Sequence, residues 1–263
     1  MRAYATVLTA RLRMLLQYRA AAIAGFATQL FWGLIRMMIF MAFYESAAGT
    51  AQPMTESQTV TYIWLGQAFL LLVMLRTDDT VQQSITSGNV VYELLRPIDL
   101  YFFWFSRMLA ASITPVLLRA GPLMLIATLA GWMQWPDWPR LLCAAATLGT
   151  AMLLSSAIGL LMTLSMMWTI SGQGVNRVVW AAAYLLGGMI IPLPLFPDSW
   201  QWLIAFLPFR GLGDTPFRFF TGNLSPADLP AVLAHQVAWI AAVVLFSRWL
   251  LGRGLKRLVV QGG

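Results

Sequence analysis

Six apolar runs dominate this sequence and leave little polar surface between them. They lie at residues 20–43, 57–75, 101–131, 141–169, 177–193 and 229–251. A helix of about 20 apolar residues crosses the hydrocarbon core of a bilayer. The composition agrees, because 59% of the residues are apolar and only 10% are charged, whereas soluble domains carry about 25% charged residues. The runs therefore predict an all-α, polytopic membrane protein with six transmembrane helices, and they argue against a soluble enzyme, a nucleic-acid-binding protein or a disordered chain.

The first 19 residues precede the first run and have the pattern of an amphipathic helix. Apolar side chains recur there at three- and four-residue spacing, at Tyr4, Val7, Leu8, Leu12, Leu15 and Leu16. Such a helix is predicted to lie along the lipid headgroups with its apolar face down. The alternative is that this stretch simply extends the first span. Arginines interrupt it, so it lacks the apolar core of a cleavable signal peptide.

No internal repeat or low-complexity linker divides the chain, so we predict one membrane domain over residues 1–263. It consists of the amphipathic helix at 1–19, a six-span bundle at 20–251 and a basic cytoplasmic tail at 252–263. Membrane proteins carry more Arg and Lys in their cytoplasmic loops than in their outer loops, and this bias predicts the orientation of the chain in the membrane. With both termini in the cytoplasm, 11 Arg and Lys lie on the cytoplasmic side and 3 on the outer side.

The segment 76–100, between the second and third runs, is the longest predicted cytoplasmic loop. Two apolar patches, at residues 81–85 and 90–95, flank the turn-forming sequence Ser87-Gly88-Asn89. We predict two short cytoplasmic helices that are joined at Gly88, with Pro97 ending the second. Glu93 and Arg96 share a face of that second helix and are candidates to pair with each other or with a partner protein. The alternative is a solvated loop that only connects two spans.

The segment 192–228 is more apolar than an outer loop needs to be. It contains prolines and tryptophans at Pro192, Pro194, Pro197, Trp200, Trp202 and Pro208. Its apolar stretch, about 15 residues, is too short to cross a bilayer. We therefore predict a pair of short helices that re-enter the outer leaflet before the last span. Because Trp is common at the membrane interface, a plain interfacial loop is the alternative.

Few side chains are available for catalysis or metal binding. The sequence has one cysteine, Cys143, and one histidine, His235, and its acidic residues lie in loops or at the edges of the runs. The single lysine, Lys256, stands in Gly-Leu-Lys-Arg, which is not the Gly-Lys-Ser/Thr end of a phosphate-binding loop. We expect no metal site, no bound cofactor and no ATPase in this chain, so that ATP and Mg²⁺ would be bound by a separate subunit.

The order of these features resembles that of the ABC-2 type exporter permeases. The stretch at residues 85–99, ITSGNVVYELLRPID, is similar to a signature of one ABC-2 subfamily, in which a glycine and a short apolar stretch precede Leu-Arg-Pro. The resemblance implies a half-permease of a bacterial inner membrane, working with a second permease subunit, identical or paralogous, and with cytoplasmic ATPase subunits. It assigns ATPase coupling to the loop residues Gly88, Tyr92, Glu93, Leu94, Leu95, Arg96 and Pro97.

Arg36 and Arg119 lie deep within the first and third runs. A charge at the bilayer centre costs at least about 2.5–3.5 kcal/mol on insertion scales, so it normally faces protein or water. One interpretation is a cationic lining for an anionic or amphiphilic substrate. The other is hydrogen bonding to backbone carbonyls, or snorkelling towards the headgroups.

The functional hypothesis is an ATP-driven exporter subunit for a hydrophobic or amphiphilic substrate. The alternative is an ATP-independent secondary transporter or channel, which usually needs acidic residues or broken helices at the membrane midplane. The runs contain no acidic residue that would couple transport to protons or sodium. An intramembrane enzyme is disfavoured as well, because the runs offer no pairing of a nucleophile with a base.

Overall fold

The computed structural model describes residues 2–15, 17, 19–47, 50–168 and 173–256, and within them all regular structure is helical. The first six helices are α1 (Arg2–Leu15), α2 (Arg19–Ser46), α3 (Glu56–Ala68), α4 (Leu70–Val73), α5 (Asp79–Thr86) and α6 (Val90–Leu94). The others are α7 (Leu100–Pro115), α8 (Gly121–Leu129), α9 (Trp138–Ser165), α10 (Gln173–Leu186), α11 (Asp198–Phe206), α12 (Asp214–Phe220) and α13 (Leu229–Leu255). The predicted all-α class is confirmed.

Four helical stretches are long and apolar enough to cross a membrane. They are Ile23–Ser46, Leu100–Leu129, Trp138–Ser165 and Pro226–Leu255, and they coincide with the first, third, fourth and sixth predicted spans. The second of the four is not a regular α-helix throughout. After Pro115 the chain forms one π-helical turn, Val116–Ala120, before α8 continues. Proline removes a backbone donor and crowds the preceding turn, which explains why the regular hydrogen-bond ladder ends here.

The other two predicted spans, 57–75 and 177–193, are shorter helices. The first is divided at Phe69 between α3 and α4. α3 has 13 residues and α10 has 14, so each is about 20 Å long, less than the roughly 30 Å of a hydrocarbon core. The six-span count therefore remains a prediction, while a multi-pass helical membrane protein agrees with the four long helices.

Other helices enclose most of α3. Every residue from Thr59 to Ala68 is buried, because α2, α8 and α12 pack around it. Trp64 of α3 stacks on Trp132, with ring centroids 5.1 Å apart. A helix surrounded in this way needs no lipid-facing apolar stripe, and α3 accordingly carries polar residues such as Gln58 and Gln67 among its apolar ones.

One end of the bundle, here called the α5–α6 end, gathers the short helices and the N-terminal helix. A single apolar cluster joins them to α7, α9 and α13 through Val81, Ile85, Val90, Leu100, Tyr101, Trp104, Leu164 and Leu251. α1 ends at Leu15 and packs on α7, so it is a separate helix rather than an extension of the first span. Its partly buried residues include Tyr4, Val7, Leu8, Leu12 and Leu15, as the predicted apolar stripe requires; Leu16 lies outside the described residues.

The opposite end, here called the α12 end, is held by hydrogen bonds between loops. Gln58 Nε2 donates to the Thr221 carbonyl at 3.1 Å, and Asn223 Nδ2 donates to the Pro53 carbonyl at 3.0 Å. The Gln134 backbone amide donates to Thr61 Oγ1 at 3.1 Å. The loops before α3 and α9 and the turn after α12 therefore lie together, far from α5 and α6.

The segment between α10 and α13 extends into the bundle from the α12 end. Gln236 Nε2 of α13 donates to the Gly211 carbonyl at 2.8 Å and to the Thr147 carbonyl of α9 at 3.1 Å. Thr147 lies about two and a half turns from the start of α9, which is about 14 Å along its axis. Trp239 Nε1, further along α13, donates to the Phe206 carbonyl at 2.9 Å. The chain at Phe206 and Gly211 is thus hydrogen-bonded to the middle of α13.

Candidate functional site

The two short helices predicted in the 76–100 loop are present as α5 and α6, joined at Gly88. α5 begins where the Asp78 carboxylate accepts hydrogen bonds from the Thr80 and Val81 amides, at 2.9 and 3.2 Å, which satisfies two donors of the first turn. Gly88 has a φ of 75°, a conformation that glycine adopts readily and other residues rarely do. The chain can therefore reverse between the two helices without strain.

Asp78 also connects α5 to two of the long helices. Its carboxylate receives two hydrogen bonds from the Arg107 guanidinium of α7, at 3.1 and 3.2 Å. Its backbone amide donates to Thr163 Oγ1 of α9 at 3.2 Å. Burial alone would raise the pKa of the Asp78 carboxyl, but the Arg107 charge and these hydrogen bonds hold that pKa below its ordinary value. The bond to Arg107 is therefore an ion pair at neutral pH.

α6 is anchored to α7 by three side chains. Val90 is fully buried, and Glu93 Oε2 accepts a hydrogen bond from Trp104 Nε1 at 2.6 Å. The Arg96 guanidinium lies 5.7 Å from the centre of the Phe103 ring, in cation–π geometry. Glu93 and Arg96 thus each contact α7 through their side chains, and no ion pair joins the two side chains in the described part of the chain.

The remaining predicted coupling residues form an exposed tip. Tyr92 and Leu95 are 71% and 78% exposed, and Leu94 is 47% exposed. Arg96 and Pro97 follow and are exposed as well. Adjacent apolar side chains on a short, anchored helix form the kind of patch that soluble proteins bind. The tip can present a fixed apolar and basic surface to a partner at the α5–α6 end.

Arg36 and Arg119, the two arginines singled out in the apolar runs, line one cavity. Its volume is about 950 Å³, which is in the range of small-molecule sites. α2, α4, α10, the π turn and the turn after α10 surround it. The lining is mostly apolar and aromatic, with Trp32, Ile39, Phe40, Phe43, Leu70, Leu71, Trp180, Tyr184 and Ile191, and its polar side chains include Gln29, Gln67 and the two arginines.

The two arginines are held in different ways. Arg36 donates hydrogen bonds to the Met189 carbonyl and to Tyr184 Oη, so it satisfies the expectation of bonding to a backbone carbonyl while still lining the cavity. The Arg119 guanidinium lies directly over Gly25 of α2. The π turn therefore contacts α2 beside the cavity.

The predicted re-entrant residues lie at the joints of short helical segments. Pro192 precedes a 3₁₀ turn at Leu193–Leu195, Pro194 lies within it, and Pro197 precedes α11. Pro208 begins a second 3₁₀ turn, Pro208–Leu212. In α11, Trp200 and Trp202 are 51% and 71% exposed and point away from the bundle. This arrangement is compatible with a re-entrant pair and with an interfacial one.

Asp214 is a structurally central residue that the sequence analysis did not single out. It is 1% exposed, and its Oδ1 accepts hydrogen bonds from Tyr62 Oη at 2.9 Å and from the Leu193 amide at 3.3 Å. Its own amide donates to the Gly187 carbonyl at 3.1 Å. These bonds fix α12 and the turn after α10 to the enclosed helix α3. An acidic residue in so apolar a segment is the sequence signal that points to such a role.

Comparison with known proteins identifies a family for this chain. The family model described as "ABC-2 family transporter protein" matches residues 30–262. That range covers most of the chain, including α5, α6, most of the residues that line the cavity and the segment between α10 and α13. No curated protein matches the chain significantly. On the strength of the family match, this chain belongs to the ABC-2 family of transporter proteins.

Proposed function

We propose that this chain is the permease subunit of an ATP-binding cassette exporter. It moves a hydrophobic or amphiphilic substrate out of the cytoplasm across a bacterial inner membrane. A separate ATPase subunit binds ATP and Mg²⁺ and supplies the energy, and this chain binds no cofactor or nucleic acid. The observation that carries the proposal is the exposed tip of α6, which is anchored to the long helices and left without a partner surface in the described chain. Family membership supports it.

In this proposal the tip formed by Tyr92, Leu94 and Leu95 is where the ATPase binds. Movement of the ATPase reaches the bundle through the contacts beneath the tip: Glu93 with Trp104, and Asp78 with Arg107. Both contacts end on α7, so a force on α6 reaches this long helix through two side-chain contacts. A solvated connecting loop would not need two such anchors.

The proposed topology has six crossings with both termini in the cytoplasm. α3 and α4 supply the second crossing and α10 the fifth. Contacts at each end of the bundle support this, because residues near Pro53 lie at the α12 end, whereas Asp78 lies against α9 at the α5–α6 end. We assign α11 and the 3₁₀ turn after it as the re-entrant pair. The depth at which Gly211 meets Gln236 and Thr147 supports that assignment.

The cavity that contains Arg36 and Arg119 is the proposed substrate path. It is open on one side, and exposed apolar residues of α2 such as Trp32, Ile39 and Phe43 line it. A second permease subunit, identical or paralogous, completes the path, and lipid covers the remaining apolar surface. The aromatic lining suits the apolar part of an amphiphile.

The test is copurification of the tagged chain with a candidate ABC ATPase subunit that is expressed together with it. Burial of a leucine side chain contributes about 1.5–3 kcal/mol, so Leu95→Glu and Tyr92→Glu are expected to weaken the complex about tenfold or more. Gln83→Glu adds the same charge to the exposed surface of α5 and is the matched control. Wild-type assembly by both tip variants would show that the ATPase binds elsewhere.

A further inference from the structure

Two buried amide side chains in the cavity wall lack hydrogen-bond partners. Gln29 of α2 is 4% exposed and Gln67 of α3 is 2% exposed. Their Oε1 atoms are without a hydrogen-bond partner in the described part of the chain. A buried acceptor without a partner destabilises the structure that contains it, and most such groups in proteins are paired. A pair of them in the wall of one cavity needs an explanation.

The two amides belong to the same wall. Gly33 lies one helical turn after Gln29, on the same face of α2. A side chain at Gly33 would lie 3.2 Å from Gln67 Cγ and 2.9 Å from the Trp64 ring, so α3 touches α2 at this point. Both glutamines therefore lie on the α2 and α3 side of the cavity, along the contact between the two helices.

The remainder of the cavity limits what these amides can bind. Among the described residues that line it, none is acidic, and two are arginines. Arg36 already donates to the Met189 carbonyl and to Tyr184 Oη. An organic cation would be repelled by the two guanidinium groups, and the described lining residues offer it no carboxylate. The aromatic and aliphatic lining accommodates the apolar body of a substrate, and the two glutamines are available to bind the polar part of that substrate.

We propose that the substrate is an uncharged or anionic amphiphile whose polar part carries hydroxyl or amide groups, and that Gln29 and Gln67 bind those groups. An amide side chain has a donor and an acceptor next to each other. A hydroxyl or amide on the substrate also both donates and accepts, so it satisfies either orientation of the glutamine. An ether oxygen can only accept a hydrogen bond, and a halogen substituent neither donates nor accepts one well. Either group therefore leaves Oε1 without a donor. This inference names the substrate class and rests on the proposed function.

The test uses the chain purified with its ATPase in lipid nanodiscs and two fluorescent probes. One probe is 4-heptyl-7-hydroxycoumarin, kept below the pKa of its phenol, and the other is its 7-methoxy ether. The probes share an apolar body and differ only in the hydroxyl donor. We expect the parent to bind the hydroxyl probe at least tenfold more tightly. In the Gln29→Leu/Gln67→Leu variant that preference should fall to within about twofold, through loss of affinity for the hydroxyl probe alone.

The control is Gln52→Leu, because Gln52 lies in the loop before α3 and bonds to Thr50. This variant should keep the parent's preference. Equal affinity of the parent for the two probes, no binding of the hydroxyl probe, or an unchanged preference in the double variant would each overturn the proposal. So would tighter binding of the analogue that carries a trimethylammonium group. The parent measurements decide the matter even where the double variant does not fold.

Failure of this inference is distinguishable from failure of the proposed exporter function. Assembly with the ATPase, and ATP hydrolysis by the complex, depend on the α6 tip and not on the two glutamines. A complex that assembles and hydrolyses ATP but ignores the hydroxyl group would refute the substrate class alone. A chain that never binds an ATPase would refute the proposed function, whatever the probes do.

Discussion

Asp78 carries more structural connections than any other residue of the α5–α6 loop. It caps α5, pairs with Arg107 of α7, and contacts Thr163 of α9 through its backbone. Its side chain is 5% exposed and that of Arg107 is 14% exposed. Removing one member of a buried ion pair is costly, because the remaining charge is left without compensation. The position therefore ties the proposed ATPase-binding helices to the bundle.

We expect Asp78→Asn to destabilise the protein by about 3 kcal/mol. Asparagine caps helices as well as aspartate does, so the loss reports on the pair with Arg107. Thermal unfolding of the purified protein measures the change, and Asp79→Asn, which alters the exposed neighbour, is the control. Equal unfolding temperatures for the two variants would show that the ion pair contributes little.

The same pair has a defined pH dependence. The pKa of Asp78 lies below its ordinary value of 3.8, so the carboxylate is more easily ionised in the folded protein than in the unfolded one. Its stabilising contribution is complete above that ordinary value and is lost as the pH falls through the lower folded pKa. Unfolding temperatures recorded down to strongly acidic pH should therefore converge for the parent and for Asp78→Asn. A gap between them that persists at the lowest pH would contradict this.

At the scale of helices, α5 and α6 depend on the turn between them. Gly88 has a φ of 75°, and a residue with a Cβ pays about 1–2 kcal/mol there. We expect Gly88→Val to leave the long helices folded, because they lie outside the loop, and to reduce copurification with the ATPase by misdirecting the α6 tip. Thr86→Val, in the regular last turn of α5, is the matched control. Undiminished assembly by Gly88→Val would mean that the angle between α5 and α6 does not matter.

Hydropathy predicted the four long helices because each contains enough apolar residues to cross a membrane. Turn and helix-end signals at Gly88 and Pro97 predicted α5 and α6. Hydropathy did not show that residues Thr59 to Ala68 of α3 are all buried, because their burial depends on how α2, α8 and α12 pack around that helix. The bond between Asp78 and Arg107 joins residues on different helices, so no local pattern reveals it. That Arg36 and Arg119 line one cavity depends on how α2 and the π turn are rotated about their axes, which only packing determines.

At the scale of the whole molecule, the two ends of the bundle should lie on opposite sides of the membrane. Single cysteines at Asn89 and Ala51, both exposed, test this in a Cys143→Ala background, since Cys143 is the chain's only cysteine. We expect an impermeant maleimide to label Ala51→Cys in intact cells and Asn89→Cys only in lysed or inverted membranes. Labelling of both from one side would refute the proposed topology.

The π turn at Val116–Ala120 has a mechanical consequence for this molecule. Trp104 and Arg107, which hold α6 and α5, precede the turn on α7, whereas Arg119 lies within it beside the cavity. A continuous α-helix would carry a twist along its axis as a stiff rod. A turn with a displaced hydrogen-bond register bends and rotates more easily than the helix on either side. We therefore expect torsion applied at the α5–α6 end to be taken up mainly at the π turn, beside Arg119.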